Sequence, residues 1–599
     1  MNGCCSDKKW RHLLNLVRKY KIDCICLLET MVDEDTVKKF IHHFPYDSWN
    51  IIPAVGKLGG LAFGYFGKSS IEVLGCSLNM VHILCDITPV IKNCVVSFIY
   101  GSTNLAGMKN QWNFLSEMCD NNKNPWMLVG DFNFILHASE KQGGNPEKSL
   151  PPNFIKDNLN KMNMHEVLSF GNPFTWCNRR FRNPTDLIFE KLDRAFMNDR
   201  WVSILSQTRI TNLGRIYSDH CPILVKCFHF EKHYNIPYRF FRCWQLNPEF
   251  KDVLHASWSF SVKGSPSYII DRKLSNVSRD LTKWNINSFG HIKTTISKLN
   301  AELEKLQALP YSPQIGGFIL NFANQLDYWY EIEHSFYEQK SRIHYFTQYD
   351  RNTHYFHNYV KLSNMYNTIH TIRDDQGNWL ENRDQIYDLL TKHFKNFFTS
   401  SCPSMVDIED SLKHVSPIIS DKVNATLTAV PSPKEILDIV VALAPWSSPG
   451  PDGFPVGLYK DNWDTVKDEV IAHVQSFFTN RYLLKHSNYT FITLIPKIKN
   501  ASFPHDFRPI SLSNSVYKII SKILTNRLKP ILDGLISPFQ SAFIANRQIH
   551  DNIIITHEIL HAFKKKKKNA KNGHIAIKLD LSKAFDRLEW SFIVAVRFF

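Results

Sequence analysis

Apolar residues in the first 228 positions gather into short unbroken runs that end in polar groups. IDCICLLET (22–30), NCVVSFIYG (93–101) and WMLVGDFNF (126–134) show the pattern. Such runs predict strands covered on both faces, with functional side chains at their ends. From residue 229 the spacing becomes helical. KLSNVSRDLTKWNINSFGHIKTTISKLNAELEKLQAL (273–309) repeats apolar residues every third or fourth position, and EHSFYEQKSRIHYFTQYDRNTHYFH (333–357) interleaves bases with aromatics. A further pattern opens at SPKEILDIVVAL, where Ser432 is placed to cap a helix and Glu435 to complete a capping box. The loop PWSSPGPDGFP (445–455), with four prolines and two glycines, interrupts it. Near the end, in IAIKLDLSKAFDRLEW (575–590), Ile575, Ile577 and Leu579 alternate with Lys578 and Asp580, the period of a strand that carries Asp580 on its polar face. These shifts predict a multidomain chain: α/β over 1–228, a mainly helical connecting region over 229–430, and α+β over 431–599.

A chain of 599 residues exceeds one ordinary core, and its 44% hydrophobic and 13% aromatic content excludes general disorder. The formal charge of +15 points to a polyanionic partner. Nucleic acid fits better than membrane, because there is no basic amphipathic anchor and no apolar run near the ~18 residues of a spanning helix. The 13 cysteines include no CxxC pair, so reduced thiols are expected. With the polar, basic start MNGCCSDKKWRH in place of a signal peptide, the expected compartment is nuclear or cytoplasmic.

Candidate chemistry sits at the ends of the strand-like runs. Glu29 ends the first, Asp131 and Asn133 end another, and YSDHCPI sets Asp219 beside His220. Hydrolysing a phosphodiester needs a divalent metal against the phosphate, a base for the water and donors for the developing charge. Carboxylates such as Glu29 and Asp219 suit Mg²⁺, which takes oxygen ligands. His220 can take the water's proton when a carboxylate orients its ring. Between these residues come NPFTW (172–176) and KLDRAF (191–196).

In that order the set resembles the endonuclease/exonuclease/phosphatase superfamily, and within it the apurinic-type endonuclease domain of non-LTR retrotransposons, over residues 1–228. The resemblance implies a four-layer α/β sandwich, Mg²⁺ (with Mn²⁺ as the alternative) and a DNA target. It implies that Glu29 is a metal ligand with Asp219 in support, that Tyr100 stands on the phosphate side, and that Asp131 and Asn133 position the attacking water and the scissile phosphate. Thr175 would contact phosphate, and Asp193 would orient His220. The family opens on a strand ending in an active-site Asn within WN-x-x-G. MNGCCSDKKW joins that pattern only at Gly3, so a first strand is predicted to be missing, and Asn2 lies too near the glycine to replace its ligand.

In the third region, FITLIPKIKNASFPHDFRPISLSNSVYKIISKILTNRLKPIL (491–532) puts Lys497 and Arg508 on either side of a loop, followed by a helix. Cations so placed suit triphosphate and backbone contacts. With SSPGPDGFP (447–455), SPFQSAFIANRQIHDNI (537–553) and the Asp580 strand, this stretch resembles the fingers and early palm of non-LTR reverse transcriptases. The resemblance implies that Lys497 and Arg508 touch the incoming triphosphate, that Gln540 and Arg547 meet the template side, that Asp580 is a metal-binding catalytic aspartate, and that Phe585 screens ribose against deoxyribose. No [FY]-x-D-D follows Asp580, so the two-metal set lacks its other carboxylates and an incomplete palm, inactive alone, is expected. The combined expectation is a retrotransposon-derived polyprotein that nicks DNA with Mg²⁺, its intact parent copying element RNA. The alternatives are a phosphatase of the same superfamily and a catalytically dead nucleic-acid-binding remnant.

Overall fold

The computed structural model describes residues 7–55, 59–67, 70–227, 237–310, 312–341, 354–413, 418–498, 501–565, 575–577, 579 and 587–596. The chain divides into two compact units. One comprises Met1–Tyr234, Ile343–Tyr387 and Ile495–Arg508; the other comprises Asn235–Arg342, Asp388–Leu494 and Pro509–Phe599.

In the first unit the strands are β1 (Cys24–Leu28), β2 (Ser48–Ile52), β3 (Leu61–Tyr65), β4 (Ile71–Cys76), β5 (Met80–Cys85), β6 (Cys94–Tyr100), β7 (Trp126–Asp131), β8 (Lys141–Gln142), β9 (Met164–Glu166), β10 (Ser169–Gly171), β11 (Trp176–Cys177), β12 (Phe189–Glu190), β13 (Asp193–Asn198), β14 (Arg209–Asn212) and β15 (Ile223–Lys226). Helices α1 (Asp7–Tyr20), α2 (Glu34–Ile41), α3 (Leu105–Asn121), α4 (Asn153–Lys161) and α5 (Asp199–Ile204) are interleaved with them. The strands form a six-stranded sheet in the order β4-β5-β6-β7-β13-β9, and three-stranded sheets β1-β3-β2, β10-β14-β15 and β11-β12-β8.

Side-chain alternation gives the large sheet two apolar faces. On one face Val95, Ile99, Trp126, Leu128 and Phe196 pack with Trp112 and Leu115 of α3 and Ile155 and Leu159 of α4. On the other, Val96, Met127, Val129, Ala195 and Met197 pack with Leu61 and Phe63 of β3 and Ile210 of β14. Behind the β1 sheet, Trp10 and Val17 of α1 and Val37 of α2 meet Leu27 and Ala62. The parallel pair β6 and β7 is joined through α3, the helical crossover that such a pair requires, with Asn104 capping α3 by accepting the Gly107 N–H.

All three predicted runs are strands, but they are not equally covered. β7 is buried at every position, whereas β1 buries only Leu27. Among the described residues β1 pairs with β3, and residues 24–28 also line a cavity.

In the second unit the predicted helical stretch is α7 (Pro266–Trp284) and α8 (Ile292–Gln307), separated by a π-helical turn at Asn285–Phe289 that closes on Gly290. Leu254 of α6 (Glu249–Trp258) and Leu274, Val277 and Leu281 of α7 share a core with Val440, Val470 and Ile519 from later helices. Ser432 caps its helix as expected, accepting the Glu435 N–H at 3.1 Å. The capping box is not closed, because both Glu435 oxygens pair with Arg527 at 2.9 Å. A two-pronged, charge-assisted contact outcompetes a return to the cap. No helix among the described residues is long and apolar enough to cross a membrane. Asn2, Lys578, Asp580 and Phe585 lie outside the described residues.

Gly130 precedes Asp131 at φ 148°, and a Cβ there would stand 2.0 Å from the Ile99 carbonyl oxygen of the neighbouring strand. Gly130→Ala is expected to cost about 2 kcal/mol or more in an unfolding measurement. Gly75→Ala, where a Cβ meets nothing within 4 Å, is expected to stay within about 0.5 kcal/mol of the parent.

Candidate active site

Three strand ends build the site. Tyr100 at the end of β6 is in register with Asp131 at the end of β7, and Asp131 is in register with Asp193 at the start of β13. Both aspartates belong to the sheet face that packs toward β3 and β14, and they are only 4% and 6% exposed. Two carboxylates so close in a buried place repel each other and need a cation. His220 meets that need from the segment ahead of β15. Its Nδ1 lies 2.9 Å from Asp193 Oδ2, and its Nε2 lies 3.7 Å from Asp131 Oδ2. Ligand atoms of the three residues all lie within 4.8 Å of one another.

The electrostatics follow. Burial, then the neighbouring Asp193, pushes Asp131 up to about 7, against the pull of His220 and the Asn133 N–H. Burial also works against the imidazolium of His220, but the Asp193 and Asp131 carboxylates together outweigh it and raise the ring to about 9.

The other predicted groups surround this centre. The Tyr100 hydroxyl donates to Glu29. Asn133, in the left-handed region at φ 55°, donates its backbone N–H to Asp131 Oδ1 at 2.9 Å and its side-chain amide to the Gly101 carbonyl at 2.6 Å. Glu29 also takes a left-handed backbone at φ 55°, directly after β1. Left-handed non-glycine residues are costly, and two of them here mark a strained, over-determined place. Glu29, Tyr100, Asp131, Asp193 and His220 line one cavity of about 650 Å³.

Asp219 is placed differently from its neighbour His220. Its Oδ2 accepts Trp176 Nε1–H at 3.3 Å, and it lines a second hollow with Lys9, Arg179 and Arg180. Thr175 is fully buried. Its hydroxyl accepts the N–H groups of Leu192 (3.0 Å) and Asp193 (2.9 Å), while its carbonyl accepts the Cys221 N–H at 2.7 Å. Thr175 thus ties the Asp193 strand to the His220 segment. Asp131 and Asp193 supply hard oxygen donors beside His220, a group that fits a divalent cation, while Glu29 lines the same cavity and Asp219 the second hollow.

Sequence reading missed Trp176 as the partner of Asp219, and Arg194 beneath the site. Arg194 is fully buried and binds Glu166 at 2.9 Å and Glu140 at 3.0 Å. The signal for it was an arginine directly after Asp193 and ahead of the apolar run Ala195–Met197.

The described polymerase-like residues contact their own segments of chain. Lys497 closes a hairpin turn, its N–H bonded to the Asp506 carbonyl and its Nζ to that of His505, and Arg508 is exposed. Arg547 is engaged within the chain, on the Asp533 carboxylate at 2.8 Å and on the carbonyls of Ser537 and Gln540. Gln540 Nε2 reaches only the Ala542 carbonyl, at 3.4 Å.

Residues 2–220 match the Endonuclease/Exonuclease/phosphatase family, and residues 495–598 match the family described as Reverse transcriptase (RNA-dependent DNA polymerase). A similar protein is the Transposon TX1 uncharacterized 149 kDa protein of Xenopus laevis, 25% identical over 255 residues that cover 43% of this chain and 19% of that protein. Another is the Retrovirus-related Pol polyprotein from type-2 retrotransposable element R2DM of Drosophila melanogaster, 32% identical over 143 residues, 24% of this chain and 13% of that protein. The matched stretches thus span less than a fifth of either relative. Among solved structures, the endonuclease domain of TRAS1, a telomere-specific non-LTR retrotransposon, is similar with a TM-score of 0.27 and 10% identity, covering 36% of this chain and 88% of that one. The 3'-5' exonuclease from Neisseria meningitidis is similar with a TM-score of 0.27 and 17% identity, covering 36% and 94%.

The charge arrangement has a pH signature. The folded His220 titrates near 9 and an unfolded one near 6.5, so its stabilising share is complete below 6.5 and is lost as pH rises through 9. Asp131, raised from 3.8 to about 7, adds a loss of the same sign over the lower range. In EDTA the unfolding free energy is expected to fall with rising pH, His220 contributing on the order of 3 kcal/mol, and His220→Asn is expected to flatten the slope between 6.5 and 9.

Proposed function

We infer, from a chain in which an endonuclease/exonuclease/phosphatase-family domain is followed by a reverse transcriptase domain and whose relatives are transposon and retrotransposon polyproteins, that the first unit hydrolyses phosphodiester bonds in DNA. The observation that carries this reading is His220, anchored through Nδ1 to Asp193 with its Nε2 turned toward Asp131.

The residues divide the work. Asp193 holds the imidazole ring in one orientation. Asn133 occupies Oδ1 of Asp131 with its N–H, which leaves Oδ2 on the His220 side, 3.7 Å from Nε2, to orient a water. Glu29, aimed by the Tyr100 hydroxyl, and Asp219, aimed by Trp176, would hold Mg²⁺ or Mn²⁺. Bound there, the cation would neutralise the scissile phosphate and lower the barrier to attack. Thr175 acts by holding Asp193 and the His220 segment together, because its hydroxyl is already committed to two backbone N–H groups. The reading also takes the first unit as a four-layer α/β sandwich, supported by apolar clusters on both faces of the large sheet and behind β1. DNA is the substrate class, supported by the +15 charge.

For the C-terminal part the reading is the fingers and early palm of a reverse-transcriptase domain, with element RNA as the template in the intact parent, supported by the match at 495–598. Lys497 and Arg508 are assigned to the triphosphate and Asp580 to metal binding, with Phe585 at the sugar. Gln540 stays on the template side. Arg547 is assigned to holding the loop from Asp533 to Gln540, where its donors are spent.

Purified full chain is expected to nick supercoiled plasmid with Mg²⁺ and not with EDTA. His220→Ala and Asp193→Asn should each slow nicking by about 10²- to 10⁴-fold. Salt-sensitive DNA binding without cleavage would make it a binding remnant, and preferred hydrolysis of a sugar phosphate over plasmid would make it a phosphatase.

A further inference from the structure

The helix His354–Asn367 comes from the connecting region, yet it belongs to the same compact unit as residues 1–234. Positions 361, 362, 365 and 366 fall on one face at helical spacing. Leu362 is 7% exposed and enters the core that Trp201, Val202 and Leu205 share with Ala195 and Met197 of β13, and Met365 packs beside it. Lys361 Nζ donates to the Ser203 carbonyl at 2.9 Å, in the last turn of α5, where a lysine suits the free carbonyls of a helix end. The Tyr366 hydroxyl donates to the Glu166 carbonyl at 2.8 Å.

Strand register makes that carbonyl available. The Val167 N–H bonds to the Ala195 carbonyl at 2.9 Å, so Glu166, one residue earlier, turns its own carbonyl away from β13. Its carboxylate meanwhile holds Lys191 at 2.8 Å and Arg194 at 2.9 Å beneath Asp193. Glu166 thus takes the helix on its backbone and the buried arginine on its side chain. Past the helix the chain stays against the same unit: His370 meets Phe170 edge to face at 5.2 Å, and Ile372 is fully buried.

The other end of this segment grips a loop from much later in the chain. Ile372–Arg373 pairs with Trp379–Leu380 as a small hairpin. The Arg373 guanidinium lies 4.4 Å from the Trp379 ring centre and 5.7 Å from that of Phe503, and its N–H donates to the Ser502 carbonyl at 2.6 Å. A flat cation between aromatic rings suits arginine better than lysine. The loop is itself pre-shaped, because Asp506 Oδ2 accepts the N–H groups of Ser502 and Phe503, both at 2.9 Å. It lies between Lys497 and Arg508, and residues 495–508 belong to the same unit as the helix. We propose that residues 361–373 are an internal brace, which docks on α5 and β9 and seats the loop 501–506 on the first unit, so that this polymerase-side loop moves with the body that carries Asp193 and His220.

The proposal stands apart from the nuclease reading, because its readout is backbone exchange and not cleavage. Two variants of the full chain separate the ends of the brace. Leu362→Ala combined with Tyr366→Phe is expected to speed amide exchange about tenfold in Met164–Gly171, in Asp199–Ile204 and in 501–506 together. Arg373→Ala is expected to speed exchange in 501–506 by a similar factor and to leave the other two segments unchanged. Should the double variant fail to fold, Tyr366→Phe alone, which removes a single hydroxyl, is read for the same three-segment pattern at about two- to threefold. Exchange in 501–506 that ignores the helix variants would overturn the proposal, since the loop would then be held by something else. So would an Arg373→Ala chain in which Asp199–Ile204 loosens as much as the loop, because the helix would then depend on the loop and not the reverse.

Discussion

Asp131 and Asp193 face each other across β7 and β13 with almost no water, and the rest of the first unit is arranged around that repulsion. Burial and the neighbouring Asp193 disfavour the ionised form of Asp131, and a nearby positive charge relieves that cost. His220 supplies one from a distant stretch of chain, Thr175 holds that stretch against the Asp193 strand, and Gly130 lets β7 approach β6 closely enough for Tyr100 to stand beside the pair. A site of this kind is assembled by tertiary structure: its residues come from three strand ends and one loop, spread from Tyr100 to His220.

That dispersal explains which parts could be read in advance. The unbroken apolar runs announced β6 and β7 because strands covered on both faces leave a compositional trace, and the polar residue closing each run marked the site. Asp193 and His220 meet as the family resemblance implied. Pairing partners leave no such trace. Nothing in WCN or LDR shows that the Trp176 indole reaches Asp219, or that the Thr175 hydroxyl turns inward to backbone. β1 reads like β7 in sequence and differs from it in burial, because what lies beside a strand is decided elsewhere in the chain.

The second unit is held differently. Its core is built from helix faces, with Val277 and Leu281 against Val470 and Ile519, and polar contacts such as those of Glu469 with Lys273 and Trp258 tie distant helices together. Glu435 illustrates the limit of local rules. As the third residue after Ser432 it had a cap to complete, and Arg527, 92 residues away, took both its oxygens. Arg547 shows the same economy within a few residues, spending its donors on the carbonyls of its own loop.

The register of β13 carries a consequence beyond geometry. Successive residues on a strand point to opposite faces, so Asp193 turns toward His220 while Arg194 turns away toward Glu140 and Glu166. A slip of one position would bury the guanidinium against the imidazolium and leave Asp193 among two glutamates. Such a slip would exchange the charges of two buried clusters at once. The pairing of β7 with β13 is therefore proofread by electrostatics, and the charges that make the site chemically competent also select the alignment in which it can exist.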